Sequence, residues 1–221
     1  MIIRWPMNRA LLVIGIVGLL FFNLVPNIDL TIASLFWGPG WGGQSGWYAW
    51  VHDGIYWLAP ALLLVLMIML LVSMFHPIKN VRSKAIIFLM LCIILGPGLV
   101  VNGIFKDHWG RPRPEQMIQF NGQEDYVYPF MISDACQKDC SFVSGHSSFG
   151  FVFLALAYVV SRYRYLYVAS AFLLGWLVGY VRMVQGGHFF SDVFFAWLIT
   201  WSVVHCTYVI MAKLGNDVAK E

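Results

Sequence analysis

The sequence predicts an all-α membrane protein: a six-transmembrane-helix bundle with an interfacial segment after helix 1 and a long periplasmic loop between helices 3 and 4. Three observations predict it. The 221-residue chain is 60% hydrophobic and only 11% charged, whereas a soluble domain carries roughly 25% charged residues. Six apolar stretches approach the ~20 residues that a spanning helix needs. The basic residues divide unevenly between the two sides that those stretches define.

The first stretch, 10–26, reads as a retained helix. The alternative, a cleaved signal peptide, lacks a small-x-small cleavage site. Residues 27–53 are rich in Trp and Gly, with Pro39 among them, and form an interfacial segment with an aromatic belt. The second and third spans are 54–75 and 85–105. Residues 106–146 then make a long polar loop, a length of connection that is usually functional. The fourth stretch, 147–161, is short and borrows polar residues at its N-terminal end. The fifth and sixth, 165–184 and 190–212, are separated only by VQGGHF, so the chain reverses tightly at Gly186 and Gly187. Residues 1–221 form one integral membrane domain, with no internal repeat, linker or low-complexity tract.

Lys and Arg collect on the cytoplasmic side of membrane helices. With six spans, the two termini and two of the loops share one side. That side holds Arg4, Arg9, Lys79, Arg82, Lys84, Arg162, Arg164, Lys213 and Lys220, nine of the fourteen basic residues. Both termini are therefore expected in the cytoplasm. Lys106, Arg111, Arg113, Lys138 and Arg182 fall on the opposite side and need another explanation. Cys136 and Cys140, in CQKDC, lie in the same outer loop. A disulfide suits an oxidising compartment; a metal site or two free thiols are the alternatives. Cys92 and Cys206 fall within helices and read as packing residues.

Three constellations meet on that outer face. KDHWGRPRP places Lys106, Arg111 and Arg113 just outside the third span, where a basic patch for anionic lipid heads is the plainer alternative. FVSGHSSFG offers Ser144 and Ser147 as helix caps, Gly145 for close approach of an anion, and His146 among the free N–H groups of a helix start. A cap with an incidental His would explain that motif alone. In RMVQGGHFFSDV, His188 and Asp192 are four apart, so on a helix they share a face and the carboxylate can orient the imidazole. Arg182 precedes them across the tight turn. A buried ion network is the alternative, but ionisable groups at membrane depth are functional by default. Cations, helix-terminal donors, two histidines and a carboxylate together describe a phosphate site. No Asp/Glu cluster suits Mg²⁺ or Ca²⁺, no His pair has zinc spacing, and no dinucleotide or P-loop glycine pattern is present. The expected metal and cofactor set is empty, and nothing points to nucleic acid. His108 reads as surface-solvated, and His52, His76 and His205 are assigned no chemistry.

With those residues in view, the sequence resembles the type 2 phosphatidic acid phosphatase superfamily. Lys106 with Arg113-Pro114 fits K-x6-R-P, Ser144-Gly145-His146 fits the end of P-S-G-H, and Arg182, His188 and Asp192 fit S-R-x5-H-x3-D. Val143 and Val181 stand where the family usually has Pro and Ser. The resemblance implies His188 as nucleophile forming a phosphohistidine and Asp192 as its orienter. It implies His146 as the acid and then base, with Lys106, Arg113, Ser144, Gly145 and Arg182 holding the phosphoryl group. GPGLVVNGIFKDHWGRPRP, the Cys loop and RMVQGGHFFSDV look most like the lipid A 4′-phosphatase branch. That implies a phosphorylated membrane lipid as substrate, a Gram-negative inner membrane as location and a periplasmic active site. Undecaprenyl diphosphate and phosphatidylglycerol phosphate are the runner-up substrates. A non-catalytic phospholipid-binding or transport protein is the alternative of another class.

Overall fold

A computed structural model describes residues 7–75, 80–215 and 218. Arg4, His76, Lys79 and Lys220 lie outside the described residues, as does the Arg82 side chain. The described residues are almost wholly helical or in loops, and no sheet forms among them.

Helix α1, Met7–Leu24, stops where Pro26 makes the helical conformation unfavourable for Val25. Helix α2, Ile28–Phe36, then turns 82° from it. The sequence gives residues 27–53 to one interfacial segment. In the structure this segment opens as α2, continues through a Trp37–Trp41 bridge and ends early, because helix α3 begins at Trp47 and runs to Phe75. The earlier start carries His52 and Asp53 inside the helix, where their side chains pair at 2.9 Å.

Helix α4, Asn80–Ile93, widens into π-helical turns over Ile94–Phe105 and finishes with Lys106–His108. Pro97 explains the widening. It lacks an N–H, and its ring crowds the carbonyl a turn earlier. The Pro97 carbonyl instead accepts from Asn102 Nδ2 at 2.6 Å. The loop after α4 is folded rather than slack. Trp109 donates to the Pro129 carbonyl at 2.6 Å and stacks on Phe142, while Met117 and Phe120 pack with Ala33, Trp41 and Phe189.

Helix α5, Gly145–Val159, carries a tighter 3₁₀ turn at Val152–Ala155. Helix α6, Arg164–Val184, crosses it closely: a Cβ at Gly150 would lie 2.7 Å from the Gly175 Cα. Small residues that let backbones touch are how helices associate in lipid, where no hydrophobic force drives them together. After α6 the chain reverses with Gly186 at φ +70°, and helix α7, Phe190–Lys213, completes the bundle. Phe88, Cys92, Tyr158, Val178, Val204 and Tyr208 form the main core; Cys206, read from sequence as a packing residue, is exposed on α7. His205 meets the Tyr158 hydroxyl at 3.2 Å, and exposed His108 bonds the Ile104 carbonyl at 3.0 Å.

Four helices among the described residues are long and apolar enough to cross a membrane: Trp47–Ser73, Ser83–His108, Ser161–Val184 and Phe190–Lys213. The bent pair α1 and α2 makes a fifth if it is counted as one span. Helix α5 is apolar but shorter than a span of the usual length.

Candidate active site

His188 is 1% exposed and precedes α7 rather than lying on it. Its Nδ1 bonds the Ser141 carbonyl at 2.8 Å. A carbonyl only accepts, so Nδ1 carries the hydrogen and Nε2 keeps its lone pair. The Asp192 carboxylate lies 3.6 Å from Nδ1, beyond a hydrogen bond. The four-residue spacing therefore works differently from the shared helical face inferred from sequence. Asp192 caps the start of α7, accepting from the Phe189 N–H at 2.7 Å and from the Ser141 hydroxyl. It steadies the residue whose carbonyl orients His188.

The other Asp192 oxygen accepts from Arg111 Nη1 at 2.6 Å. Arg111 is fully buried and saturated. It donates to Ser191 Oγ at 2.8 Å, to Asp29 at 2.8 Å and to the Val127 carbonyl at 2.9 Å, and it lies 4.2 Å over the Phe189 ring. Burial opposes its charge, but Asp192 and Asp29 outweigh that and hold it above its ordinary range. In the sequence Arg111 stands in one basic cluster with Lys106 and Arg113, although only Arg113-Pro114 has the K-x6-R-P spacing. The structure gives it to a buried strut joining α2, the loop and α7.

The remaining cations lie around a different point. Arg182, in the last turn of α6, donates to Gln185 Oε1 at 2.6 Å, and Gln185 in turn donates to the Gly43 carbonyl at 2.7 Å. The Arg182 guanidinium lies against Gly187, where a Cβ would come within 2.3 Å of Nη2. Lys106 and Arg113 both donate to the Asp139 carboxylate, and Arg113 also reaches the Asp139 carbonyl at 2.9 and 3.1 Å. Cys136 and Cys140 form a disulfide that closes the loop bearing Asp139. Ser144 caps α5 through Ser147, and its N–H donates to the Asp192 carbonyl at 3.1 Å. His146, in the first turn of α5, stacks on His52 at 4.6 Å between centroids.

Of the buried nitrogens without a hydrogen-bond partner among the described residues, three belong to the residues singled out in the sequence: His146 Nε2, His188 Nε2 and Arg182 Nε. Unmet polar atoms are rare in protein interiors and ask for a ligand or water. Burial first, then Arg182, Arg113 and Lys106, hold the His188 imidazole well below its ordinary pKa, while the Ser141 bond opposes them weakly. That shift favours the neutral ring, whose Nε2 lone pair has no partner among the described residues. A cavity of about 830 Å³ reaches the site, with Lys106, Asp139, Gly145 and His146 at its polar end. Its remaining wall is mostly apolar, including Ile55, Leu63, Ile93 and Leu99 from α3 and from α4 with its π-helical turns. No group of His, Cys, Asp or Glu among the described residues is arranged to hold a metal ion.

All the sequence-predicted residues thus lie around one region, but Asp29, Ser141, His52 and Asp139 were missed. Asp29 had a signal: one carboxylate inside the apolar run NIDLTIASLF. His52 had none, because its approach to His146 exists only once α3 starts at Trp47.

A family model described as the PAP2 superfamily matches residues 61–216. A lipid A 4′-phosphatase of Francisella tularensis subsp. novicida is 37% identical over 218 residues, covering 94% of this chain and 98% of that protein. A lipid A 4′-phosphatase of Rhizobium etli is 29% identical over 196 residues, covering 80% and 76%. The crystal structure of a transmembrane PAP2 type phosphatidylglycerolphosphate phosphatase from Bacillus subtilis superposes with a TM-score of 0.59 at 20% identity, covering 93% of this chain and 96% of that one. That likeness speaks for the fold.

Proposed function

Because the chain belongs to the PAP2 superfamily, we propose that it is a lipid A 4′-phosphatase working through a phosphohistidine on His188. One observation carries the mechanism: a buried imidazole has Nδ1 tied to a carbonyl and Nε2 unpartnered, within electrostatic reach of Lys106, Arg113 and Arg182. Nε2 attacks phosphorus as the bond to the sugar oxygen breaks, and His146 gives that oxygen its proton. Neutral His146 then takes a proton from water, the hydroxide attacks the phosphohistidine, and phosphate leaves with His188 restored. Lys106, Arg113 and Arg182 bear the charge on the phosphoryl oxygens, helped by Ser144 and Gly145. A loose phosphoryl-transfer transition state needs little beyond position and charge. Asp192 positions His188 through Ser141, and fixed cations do the work of a metal ion.

The names and coverage of the relatives support lipid A as substrate. The apolar cavity that reaches Lys106 and His146 suits a phosphate carried on acyl chains. Membranes containing this chain are expected to accumulate a lipid A about 80 Da lighter, the mass of one phosphate group lost as HPO₃. Purified protein in detergent should release phosphate from lipid A in EDTA. Unchanged lipid A with rapid hydrolysis of undecaprenyl diphosphate would move the substrate to the runner-up. No release from any of these lipids would leave a binding or transport protein.

We further propose six spans in a bacterial inner membrane, with α5 as the short fourth, both termini cytoplasmic and the site periplasmic. The excess of Lys and Arg on one side supports this. In a chain with Cys92→Ser and Cys206→Ser, an impermeant thiol reagent applied to intact spheroplasts should label Gln123→Cys but not Tyr163→Cys, both at exposed positions. The reverse pattern would invert the orientation.

A further inference from the structure

Lys106 and Arg113 do not wait for phosphate with free donors. Both hold the carboxylate of Asp139. The partners are unequal. The Lys106 and Arg113 side chains are 10% and 15% exposed, whereas that of Asp139 is 61% exposed. The cations are fixed in the wall of the site, and the carboxylate is the member that can leave. Its leash is short, because the Cys136–Cys140 disulfide closes the turn next to it. Asp139 adopts φ +53°, a left-handed conformation that Asp and Asn tolerate better than most residues. Arg113 also grips the Asp139 carbonyl, so the backbone stays in place whatever the side chain does.

We propose that Asp139 is a built-in competitor for the phosphate: its carboxylate occupies the Lys106–Arg113 pair in the empty enzyme, yields to the substrate phosphoryl group, and returns to help expel inorganic phosphate. This rests on the reading that Lys106 and Arg113 bind the phosphoryl oxygens. A carboxylate and a phosphate compete for the same charge-assisted donors. A protein whose binding-competent state is only partly populated binds its ligand more weakly by that fraction. Burial of Asp139 disfavours its charge, but Lys106 and Arg113 overcome this and keep the carboxyl below its ordinary range, so it competes in its charged form at neutral pH. Phosphate is the last product of the proposed reaction and the one these cations would retain longest. A tethered anion raises its rate of departure without adding a residue to the chemical step.

The test is inhibition by inorganic phosphate in the full-length protein in detergent, with Asp139→Asn compared to the unsubstituted chain. Asn keeps the size and the backbone preference and removes the charge. The inhibition constant for phosphate should fall by roughly three- to ten-fold, the scale expected when two ion pairs that share one largely exposed carboxylate no longer compete. KM should fall with it. A constant that is unchanged or higher would overturn the proposal, and a higher one would make Asp139 an organiser of the cations. Lys106→Ala in the same assay separates the levels. If it weakens phosphate inhibition while Asp139→Asn does not strengthen it, only the competitor role fails. If Lys106→Ala leaves phosphate inhibition untouched, the cation assignment fails and the competitor role with it. A Cys136→Ser/Cys140→Ser chain provides a second arm. Without the leash, Asp139→Asn should change the constant less than it does in the intact chain, and an equal change would overturn the role of the tether.

Discussion

His188→Ala should lose turnover and the covalent phosphoenzyme together, by about 10⁴-fold or more, as expected when an enzyme loses its nucleophile. The buried ring meets the protein through one bond, from Nδ1 to the Ser141 carbonyl, and presents Nε2 to the site. Acid-labile, base-stable label from a ³²P-substrate quench should map to the peptide holding His188. Label on a serine peptide, or near-normal turnover by His188→Ala, would end the assignment. The pH dependence has a definite sign. The pKa of His188 is lowered by burial and by Arg182, Arg113 and Lys106, so the acid limb of kcat/KM that reports it should lie below the ordinary histidine value of about 6.5. The same shift acts on stability. In the unfolded chain this histidine takes up a proton below about pH 6.5, whereas in the folded chain it resists until the pH reaches its lower pKa. Thermal stability in detergent should therefore decline as pH falls through that window, and His188→Gln should remove that part of the decline. His146→Ala should slow both steps yet leave some phosphoenzyme to trap with a good leaving group.

Arg111→Met should be the most destabilising of the site substitutions, although Arg111 touches no substrate in the proposed mechanism. It strands Asp29 and Asp192, both fully buried carboxylates. Removing one partner of a buried ion pair typically costs about 3–5 kcal/mol. Activity should fall too, because Asp192 then loses its anchor and Ser141, which orients His188, loses its rigid neighbour. Asp29→Asn should cost less, since Arg111 keeps Asp192. Combining Asp29→Asn with Arg111→Met should recover part of the lost stability, a coupling that a double-mutant cycle reads directly. A phosphate-binding arginine would behave oppositely: KM would rise while the melting temperature held. That outcome would place Arg111 among the phosphate cations and dismiss the strut.

Much of this organisation is legible in the sequence where it depends on local pattern. The apolar stretches correspond to α1 and α3 to α7, and the tight reversal falls at Gly186. The spacing of Lys106, Arg113, Ser144, Arg182 and His188 picks out residues that the fold gathers into one candidate site. What was not legible depends on partners distant in the chain. Asp29 and Arg111 are 82 residues apart, and nothing local tells a strut from a phosphate ligand. The polar pair His52-Asp53 looks like a loop signal, yet both residues ride inside α3. Ser141 acts through a main-chain carbonyl, which every residue possesses, so its side chain carries no signature of that role. Asp139 sits in a Cys-closed turn that reads as covalent reinforcement, and its grip on Lys106 appears only when the loop folds back over α4.

The widened turns between Ile94 and Phe105 bear on how this segment can vary among relatives. A residue added to or removed from an ordinary helix swings everything beyond it by about 100°. Here the wide winding around Pro97 sets the compass bearing on which Lys106 leaves the helix. Side-chain exchange along the outer surface of these turns is therefore cheap, while a change in chain length between Pro97 and Lys106 would aim the ammonium group elsewhere. Among functional relatives, the exposed positions of this stretch should vary in identity, while its buried Gly96, Pro97 and Val101 and its length should hold.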